Sequence, residues 1–420
     1  MKLSRLKDKK ILILGFGKEG RNTFAFLRKL FPNKLLGIAD KAKLSVKTDK
    51  RVKKFFGNDY LNAIKKFDLI IKSPGIPIHL KEVEDAFNKK KVTSQTELFL
   101  DNCPGQVIGI TGTKGKSTTT SLIYQILKRA GIKVKILGNI GKPMLSSLIK
   151  ARKDQVFVCE LSSHQLYGLK KSPHISVLLN IYPEHLDYYC DFNEYINAKA
   201  NITRYQLAKD YLVFNADNEI VKKIAKRSGA KKIRIRGEYH DLNKQAAKAV
   251  AGIFQVPNNI IDQVIKHFKP LAHRLELVGT FQGITFYNDA LATIPEATIG
   301  AIKTLGSRVE TIILGGFERN IDFKELAEQV LKSGIKTVIL FPTTGERIWQ
   351  ELKKKTGKLP QPFFVDNMKD AVRIAYQNTK KGKVCLLSTA SSSFSIFKDY
   401  KEKGDLFKKY VKQFGHGFKH

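Results

Sequence analysis

Cysteine is scarce: the 420 residues hold four, Cys103, Cys159, Cys190 and Cys385, far apart and without a C-x-x-C pair. That spacing implies neither a zinc site nor a disulfide framework and fits a reducing compartment. Long apolar runs are also lacking. None approaches the roughly 20 residues of a membrane-spanning helix. The basic opening stretch MKLSRLKDKKILILGFG breaks its short apolar run at glycines, which argues against a signal peptide. A cytoplasmic protein with no membrane partner is expected. Acidic side chains are in deficit, with 38 Asp+Glu against 75 Lys+Arg and a formal net charge of +37. Such a balance suits nucleic acid, an acidic membrane surface or anionic substrates. The basic residues are spread in pairs and triplets, such as Lys89-Lys90-Lys91 and Lys353-Lys354-Lys355, and not blocked. They are expected on solvated helix faces, with no specific nucleic-acid partner. Apolar residues make up 42% of the chain, material enough for roughly two to four domains.

The most informative stretch is VIGITGTKGKSTTTSLIYQI, residues 107–126. Val107, Ile108 and Ile110 are β-branched and bounded by glycine, as in a buried parallel strand, and Leu122, Ile123, Ile126 and Leu127 follow a helical spacing. Between them lie Gly112, Thr113, Lys114, Gly115, Lys116, Ser117 and Thr118. Glycines let backbone N–H groups turn toward an anion, a lysine supplies mobile counter-charge, and a hydroxyl helps to hold magnesium. The match to a P-loop is imperfect, because Ile110 stands where the full motif wants glycine.

Residues 1–100 open like a Rossmann fold. A strand at 11–14 runs into Gly15-x-Gly17-x-x-Gly20, residues 22–30 can be helical, and a second strand at 35–39 ends in Asp40. An acidic residue at that distance can meet a ribose or a base edge. Taken alone this suggests a nicotinamide dehydrogenase, but a second phosphate loop at residue 112 has no use in one. Residues 68–72 read as another buried strand, and Ser73, Pro74, Gly75, Ile76 and Pro77 as a rigid turn whose N–H groups can face a ligand.

Residues 101–270 continue with Gly138-Asn139-Ile140-Gly141 and a strand at 156–159 that ends in Glu160, a carboxylate well placed to hold magnesium. A strand at 175–179 precedes Asn180-Ile181-Tyr182-Pro183-Glu184-His185-Leu186-Asp187, and a helix carries Tyr195, Ile196 and Lys199. From residue 271 to 420, strands near 284–287, 312–314 and 384–387 alternate with helices, which implies a further parallel sheet. Thr293-Ile294-Pro295-Glu296 reads as a capping box.

In order and spacing, TGTKGKST, GNIG, ELSSHQL, NIYPEHLD and the lysine of NAKANI resemble the central domain of the Mur ligases, the ATP-dependent amide-forming enzymes of peptidoglycan synthesis. They resemble folylpolyglutamate synthases more loosely. SPGIP and LLSTASSSFSIFKDYKEKGDLFKKYV narrow the resemblance to the branch that adds glutamate to UDP-N-acetylmuramoyl-L-alanine. It implies an α/β protein of three domains: Rossmann-like at 1–100 for the UDP substrate, P-loop ATPase-like at 101–270 for ATP, and Rossmann-like at 271–420 for glutamate. It implies ATP and two magnesium ions as cofactors and a monomeric, cytoplasmic enzyme.

The family's residues carry over as follows. Lys116 resembles the phosphate lysine and Ser117 the magnesium hydroxyl, Glu160 and His185 the magnesium-site residues, and Lys199 the lysine that the family carries as a carbamate. A cationic lysine beside metal ions would repel them, which is why a carbamate is expected. Gly17, Asp40, Ser73, Pro74, Gly75, Asn139 and His185 match the UDP-substrate region. Asn215 matches an adenine contact, Arg274 a phosphate contact in a hinge, and Asp289 a ribose contact. Thr293, Arg319, Ser393 and Tyr400 fall in the glutamate region. There the chain departs from the pattern: Leu291 stands where the branch commonly has lysine, Arg319 where it has lysine, and Tyr400 where it has phenylalanine. The resemblance implies D-glutamate as the commonest amino acid of the branch, and these departures lean somewhat toward the alternative, a related subfamily that adds L-glutamate; a nucleic-acid-binding ATPase is the remoter alternative.

Overall fold

The computed structural model describes residues 1–45, 50–139, 142–184, 188–268, 272–319 and 321–416, and of Tyr239 the backbone only. The chain forms two compact units, one of residues 1–237 and 241–267, the other of residues 238–240 and 268–420.

The first unit contains two sheets. Strands β1 (Ile11–Leu14), β2 (Leu36–Asp40), β3 (Val52–Phe56), β4 (Leu69–Lys72) and β5 (Val92–Ser94) form a parallel sheet in the order β3-β2-β1-β4-β5. All four residues of β1 are fully buried, as expected of a strand with both faces covered. Strands β6 (Gln106–Thr111), β7 (Val134–Gly138), β8 (Val156–Glu160), β9 (Ile175–Leu178), β10 (Tyr211–Asn215) and β11 (Lys231–Ile235) form a second parallel sheet, ordered β11-β10-β9-β6-β8-β7. One apolar cluster runs from Ile11 and Ile13 through Leu98 and Phe99 to Val107 and Phe157. The Phe99 and Phe157 rings meet edge to face at 5.7 Å.

The second unit holds β12 (Glu276–Phe281), β13 (Ile284–Asn288), β14 (Val309–Gly315), β15 (Thr337–Phe341), β16 (Gln361–Phe364) and β17 (Val384–Leu387), ordered β12-β13-β17-β14-β15-β16. Ile312 and Leu314 face one apolar cluster and Ile313 the other, the period-two alternation of a strand. This sheet is not wholly parallel, because β12 runs antiparallel to β13. Gln282 and Gly283 between them have φ of +51° and +81°, the conformation of a two-residue hairpin turn.

The lysine triplets are largely solvated, but they gather at helix ends and not along helix faces, with only Lys353 inside a helix. Lys89 caps the C-terminus of the helix Lys81–Asn88, and Lys90 turns at φ +56°. Lys353 ends the helix Thr344–Lys353 and Lys354 caps it. Cations gather there because helix C-termini carry partial negative charge. Among the described residues no helix is long and apolar enough to cross a membrane.

Candidate functional site

In each sheet the chain reverses its winding direction beside a central strand, and the crevice beyond the carboxyl ends of such strands is where open α/β sheets bind ligands. In the first sheet that point lies between β1 and β4. A cleft of about 420 Å³ opens there, lined by Gly15, Gly17, Glu19, Asp40, Ser73, Pro74, Gly75 and, from the central sheet, Asn139 and Gln165. Gly15 adopts φ +87°, and a Cβ on it would come within 2.9 Å of Ser73 Cβ. A Cβ on Gly20 would lie 2.0 Å from the Gly15 carbonyl oxygen, so the helix Lys18–Leu30 approaches the turn only with glycine there. A Cβ on Gly17 would meet nothing within 4 Å. Asp40 braces the turn, its carboxylate accepting from the backbone N–H of Phe16 at 2.6 Å and of Ala42 at 2.8 Å. Ser73 Oγ donates to the Gly15 carbonyl at 2.7 Å. Tyr188 Oη reaches the carbonyls of Pro74 at 3.0 Å and Ile76 at 2.9 Å, which ties this turn to the central part of the chain.

In the second sheet the reversal falls at β6, which lies between β9 and β8. Gly112 and Gly115 take φ of +158° and +86°, and the helix Lys116–Arg129 starts at once. The positive end of its dipole faces the loop, where an anion is favoured. Thr113 Oγ1 accepts from the Tyr182 backbone N–H at 2.9 Å and lies 3.1 Å from Tyr195 Oη. Asn180 holds the loop through both amide atoms, Oδ1 accepting from the Lys114 N–H at 2.8 Å and Nδ2 donating to the Lys114 carbonyl at 3.2 Å. Lys114 Nζ pairs with Glu184 at 2.9 Å. Ser117 and Thr118 are buried in the first turn of the helix.

Lys116 Nζ folds back on the loop, donating to the carbonyls of Gly112 at 2.9 Å and Thr113 at 2.8 Å. Lys199, 1% exposed, donates to the same Gly112 carbonyl at 2.9 Å. Burial, and next the Lys116 charge beside it, hold the Lys199 amine well below the ordinary lysine range. Glu160 ends β8 and is 1% exposed. Its Oε1 accepts from Asn139 Nδ2 at 3.0 Å, while its Oε2 is buried without a hydrogen-bond partner among the described residues. A buried carboxylate oxygen in that state fits a cation ligand. His185 lies outside the described residues.

Asn215 ends β10, its Oδ1 accepting from the Asp217 N–H at 2.9 Å. In the second unit the reversal falls at β17, between β13 and β14. Asp289, just past β13, accepts from the Leu275 N–H at 3.0 Å and from Ser388 Oγ at 2.8 Å. Half-buried Arg274 sits between His273 and Leu275, whose φ values of +63° and +46° are uncommon outside glycine. The strand end after Gly316 pairs with the loop after β17, Phe317 N–H donating to the Ser392 carbonyl at 2.8 Å. Arg319 Nε and Ser393 Oγ are buried without a hydrogen-bond partner among the described residues. Tyr400 opens the helix Tyr400–Gly415 and meets the His273 ring at 5.9 Å. The capping box expected with Thr293 as the N-cap falls one residue out of register. The helix Pro295–Leu305 has Ile294 as its N-cap, without a side-chain cap, because Pro295 occupies the first helical position and keeps the residue before it extended.

Residues 110–292 match the Mur ligase middle domain and residues 273–391 the Mur ligase glutamate ligase domain. The UDP-N-acetylmuramoylalanine–D-glutamate ligase of Acetivibrio thermocellus is 32% identical, with 97% of each chain covered, and that of Lactiplantibacillus plantarum 33% identical, with 98% of each covered. This chain belongs to the Mur ligase family. It is therefore an ATP-dependent ligase that forms a peptide bond. The Mur ligase fold recurs in the solved structure of Thermotoga maritima MurF in complex with ADP (TM-score 0.62, 17% identity, 98% of each chain covered). It recurs also in the UDP-N-acetylmuramate–alanine ligase of the same organism (TM-score 0.58, 16% identity, 96% of this chain and 99% of that one). The dehydrogenase reading of Gly15 to Gly20 falls with this membership. Sequence reasoning about this Mur ligase missed Asn180 as the clamp on Lys114, Glu184 as its ion-pair partner and Tyr195 as the support of Thr113. It also missed Asn243, whose Oδ1 accepts from Thr119 Oγ1 at 3.1 Å and lies 2.3 Å from where a Gly115 Cβ would stand. Strand-end position was the available signal for Asn180; Asn243 is too distant in sequence for local patterning to reveal.

Proposed function

We propose that this Mur ligase joins D-glutamate to the L-alanine carboxylate of UDP-N-acetylmuramoyl-L-alanine, with conversion of ATP to ADP and phosphate, in peptidoglycan synthesis in the cytoplasm. The observation that carries the reading is the meeting of Lys116 and Lys199 at the Gly112 carbonyl, in the sheet that also buries the unpartnered oxygen of Glu160. The two relatives described above, named for D-glutamate addition, support that amino acid over the L-glutamate suggested by Arg319 and Tyr400.

Three regions divide the work. Residues 1–100 hold the UDP moiety through Gly17, Asp40, Ser73, Pro74 and Gly75, with Asn139 and His185 from the neighbouring region. Residues 101–270 hold ATP, its phosphates on Gly112 to Thr118 and its adenine near Asn215. Residues 271–420 supply Arg274 to the phosphates, Asp289 to the ribose, and Thr293, Arg319, Ser393 and Tyr400 to the glutamate. All these groups come from one chain, so a monomer suffices.

The acceptor carboxylate attacks the γ-phosphate of ATP and forms an acyl phosphate. Lys116 and the loop N–H groups stabilise the charge on the transferred group. The glutamate amine then attacks the acyl carbon, and the tetrahedral intermediate expels phosphate as the nitrogen loses its proton. Arg319 and Ser393 orient the amino acid, their buried donors satisfied by a carboxylate. Ser117, Glu160, His185 and a carbamylated Lys199 are the residues that would hold two magnesium ions, which when bound neutralise phosphate charge. A neutral Lys199 amine is the form that adds carbon dioxide, and burial favours it.

Phosphate release by the purified protein, with ATP, magnesium and UDP-N-acetylmuramoyl-L-alanine, tests the proposal against D-glutamate and L-glutamate in parallel. Release with D-glutamate alone is expected. Release only with L-glutamate would overturn the stereochemistry, and ATP binding without turnover on either would overturn the glutamate assignment.

A further inference from the structure

His79 and Cys190 lie far apart in sequence, yet they meet. His79 follows the turn after β4, and Cys190 precedes the helix Phe192–Arg204, whose third residue is Glu194. His79 Nε2 stands 3.5 Å from Cys190 Sγ and 3.0 Å from Glu194 Oε2. One donor atom from each residue lies within 4.8 Å of the other two. Tetrahedral zinc, with bonds of about 2.0–2.3 Å, separates its ligand atoms by about 3.3–3.7 Å. The three donors are therefore gathered closely enough for small side-chain adjustments to bring them onto one ion.

We propose that His79, Cys190 and Glu194 form a binding site for a zinc-type divalent ion, apart from the phosphate loop and not dependent on the reaction proposed above. Three kinds of observation support it besides proximity. The donor set is imidazole, thiol and carboxylate, the thiol giving up its proton to a bound ion, and such a set selects zinc over magnesium. Glu194 is oriented in advance, its Oε1 accepting from Tyr167 Oη at 2.6 Å and its Oε2 from the Cys190 backbone N–H at 2.7 Å, the outer support that metal-binding carboxylates carry. The site is open to solvent, with the His79 side chain 34% exposed and that of Glu194 19%, so an ion can enter and water can complete the fourth position. Bound there, the ion would tie the turn carrying Ser73 to Ile76 to the central sheet, alongside Tyr188.

The test is cobalt titration of the full chain after treatment with a chelator. Tetrahedral cobalt bound to a thiolate gives a near-ultraviolet charge-transfer band, and cobalt at the phosphate loop, where there is no thiol, gives none. One equivalent of cobalt should produce the band and zinc should abolish it by displacement. Cys190→Ser should remove the band, His79→Ala should weaken cobalt affinity at least tenfold, and Tyr167→Phe should weaken it severalfold, each variant keeping the wild-type circular dichroism. No band in the wild-type protein, or a band that survives Cys190→Ser, would overturn the proposal and leave a His79–Glu194 ion pair only.

Discussion

Lys116 and Lys199 converge on a single oxygen, each ε-amine donating to the Gly112 carbonyl at 2.9 Å. Two ammonium charges held 2.9 Å from one oxygen repel by at least about 3 kcal/mol at an effective dielectric of 20. The arrangement is favourable when one amine is neutral or converted to an anion, and burial makes Lys199 the one to change. Lys199→Ala should lower kcat by about 10²-fold or more, a loss of the size seen when electrostatic stabilisation of a transition state is removed, while ATP still binds. Labelled carbon dioxide followed by carbon NMR should show a carbamate signal in the wild-type protein that Lys199→Ala lacks. An unlabelled, fully active wild-type enzyme would refute this.

Gly115 combines φ +86° with a neighbouring oxygen, Asn243 Oδ1, only 2.3 Å from where a Cβ would stand. Gly115→Ala should lower stability by about 1–3 kcal/mol and weaken ATP binding, read by denaturant unfolding and nucleotide titration. Gly17→Ala is the contrast, since its Cβ meets nothing and its φ is −71°. It should leave stability within about 0.5 kcal/mol and raise KM for the UDP substrate, because the added methyl enters the cleft.

Arg319 keeps a buried Nε without a partner among the described residues. Arg319→Ala should raise KM for glutamate at least tenfold and leave KM for ATP nearly unchanged, by steady-state kinetics. Arg319→Lys should recover part of the loss, because the charge returns without the planar fork.

Lys403 is 1% exposed, donates to Thr389 Oγ1 at 2.5 Å, and is pushed by burial down to about 7. Its folded pKa lies below its unfolded one, so the unfolded chain binds more protons between about pH 7 and 10.4, and stability rises with pH across that window. The deficit is complete below about pH 7. Wild-type stability should therefore gain up to about 1.4 kcal/mol per pH unit relative to Lys403→Met between pH 7 and 9, measured by guanidinium unfolding at each pH. Parallel pH profiles would exclude this account.

Local patterning was enough to read the strands that hold the crevices. The buried runs at β1, β6 and β17 announce themselves by apolar composition and by the glycine or serine after them. It failed where a distant partner decides the outcome. Asn180 and Asn243 matter because folding carries them to the phosphate loop; only Asn180 has a local signature, its place at a strand end, and that does not name its partner. The capping box at Thr293 was misread because Pro295 overrides the pattern around it. The hairpin strand β12 went unnoticed because it alternates weakly and lies at a sheet edge. Neither His79 nor Cys190 belongs to a metal-binding spacing; only the loop after β4, brought against the helix Phe192–Arg204, joins them.

The apolar cluster that passes from Ile11 through Phe99 to Phe157 joins the cores of the first two sheets. Each sheet has the strand count of an independent domain, yet both contribute side chains to that one cluster. Cutting the chain near residue 101 would expose that surface on both fragments. The unit of residues 1–237 and 241–267 should accordingly unfold in one cooperative step, and a truncated fragment carrying either sheet alone should aggregate.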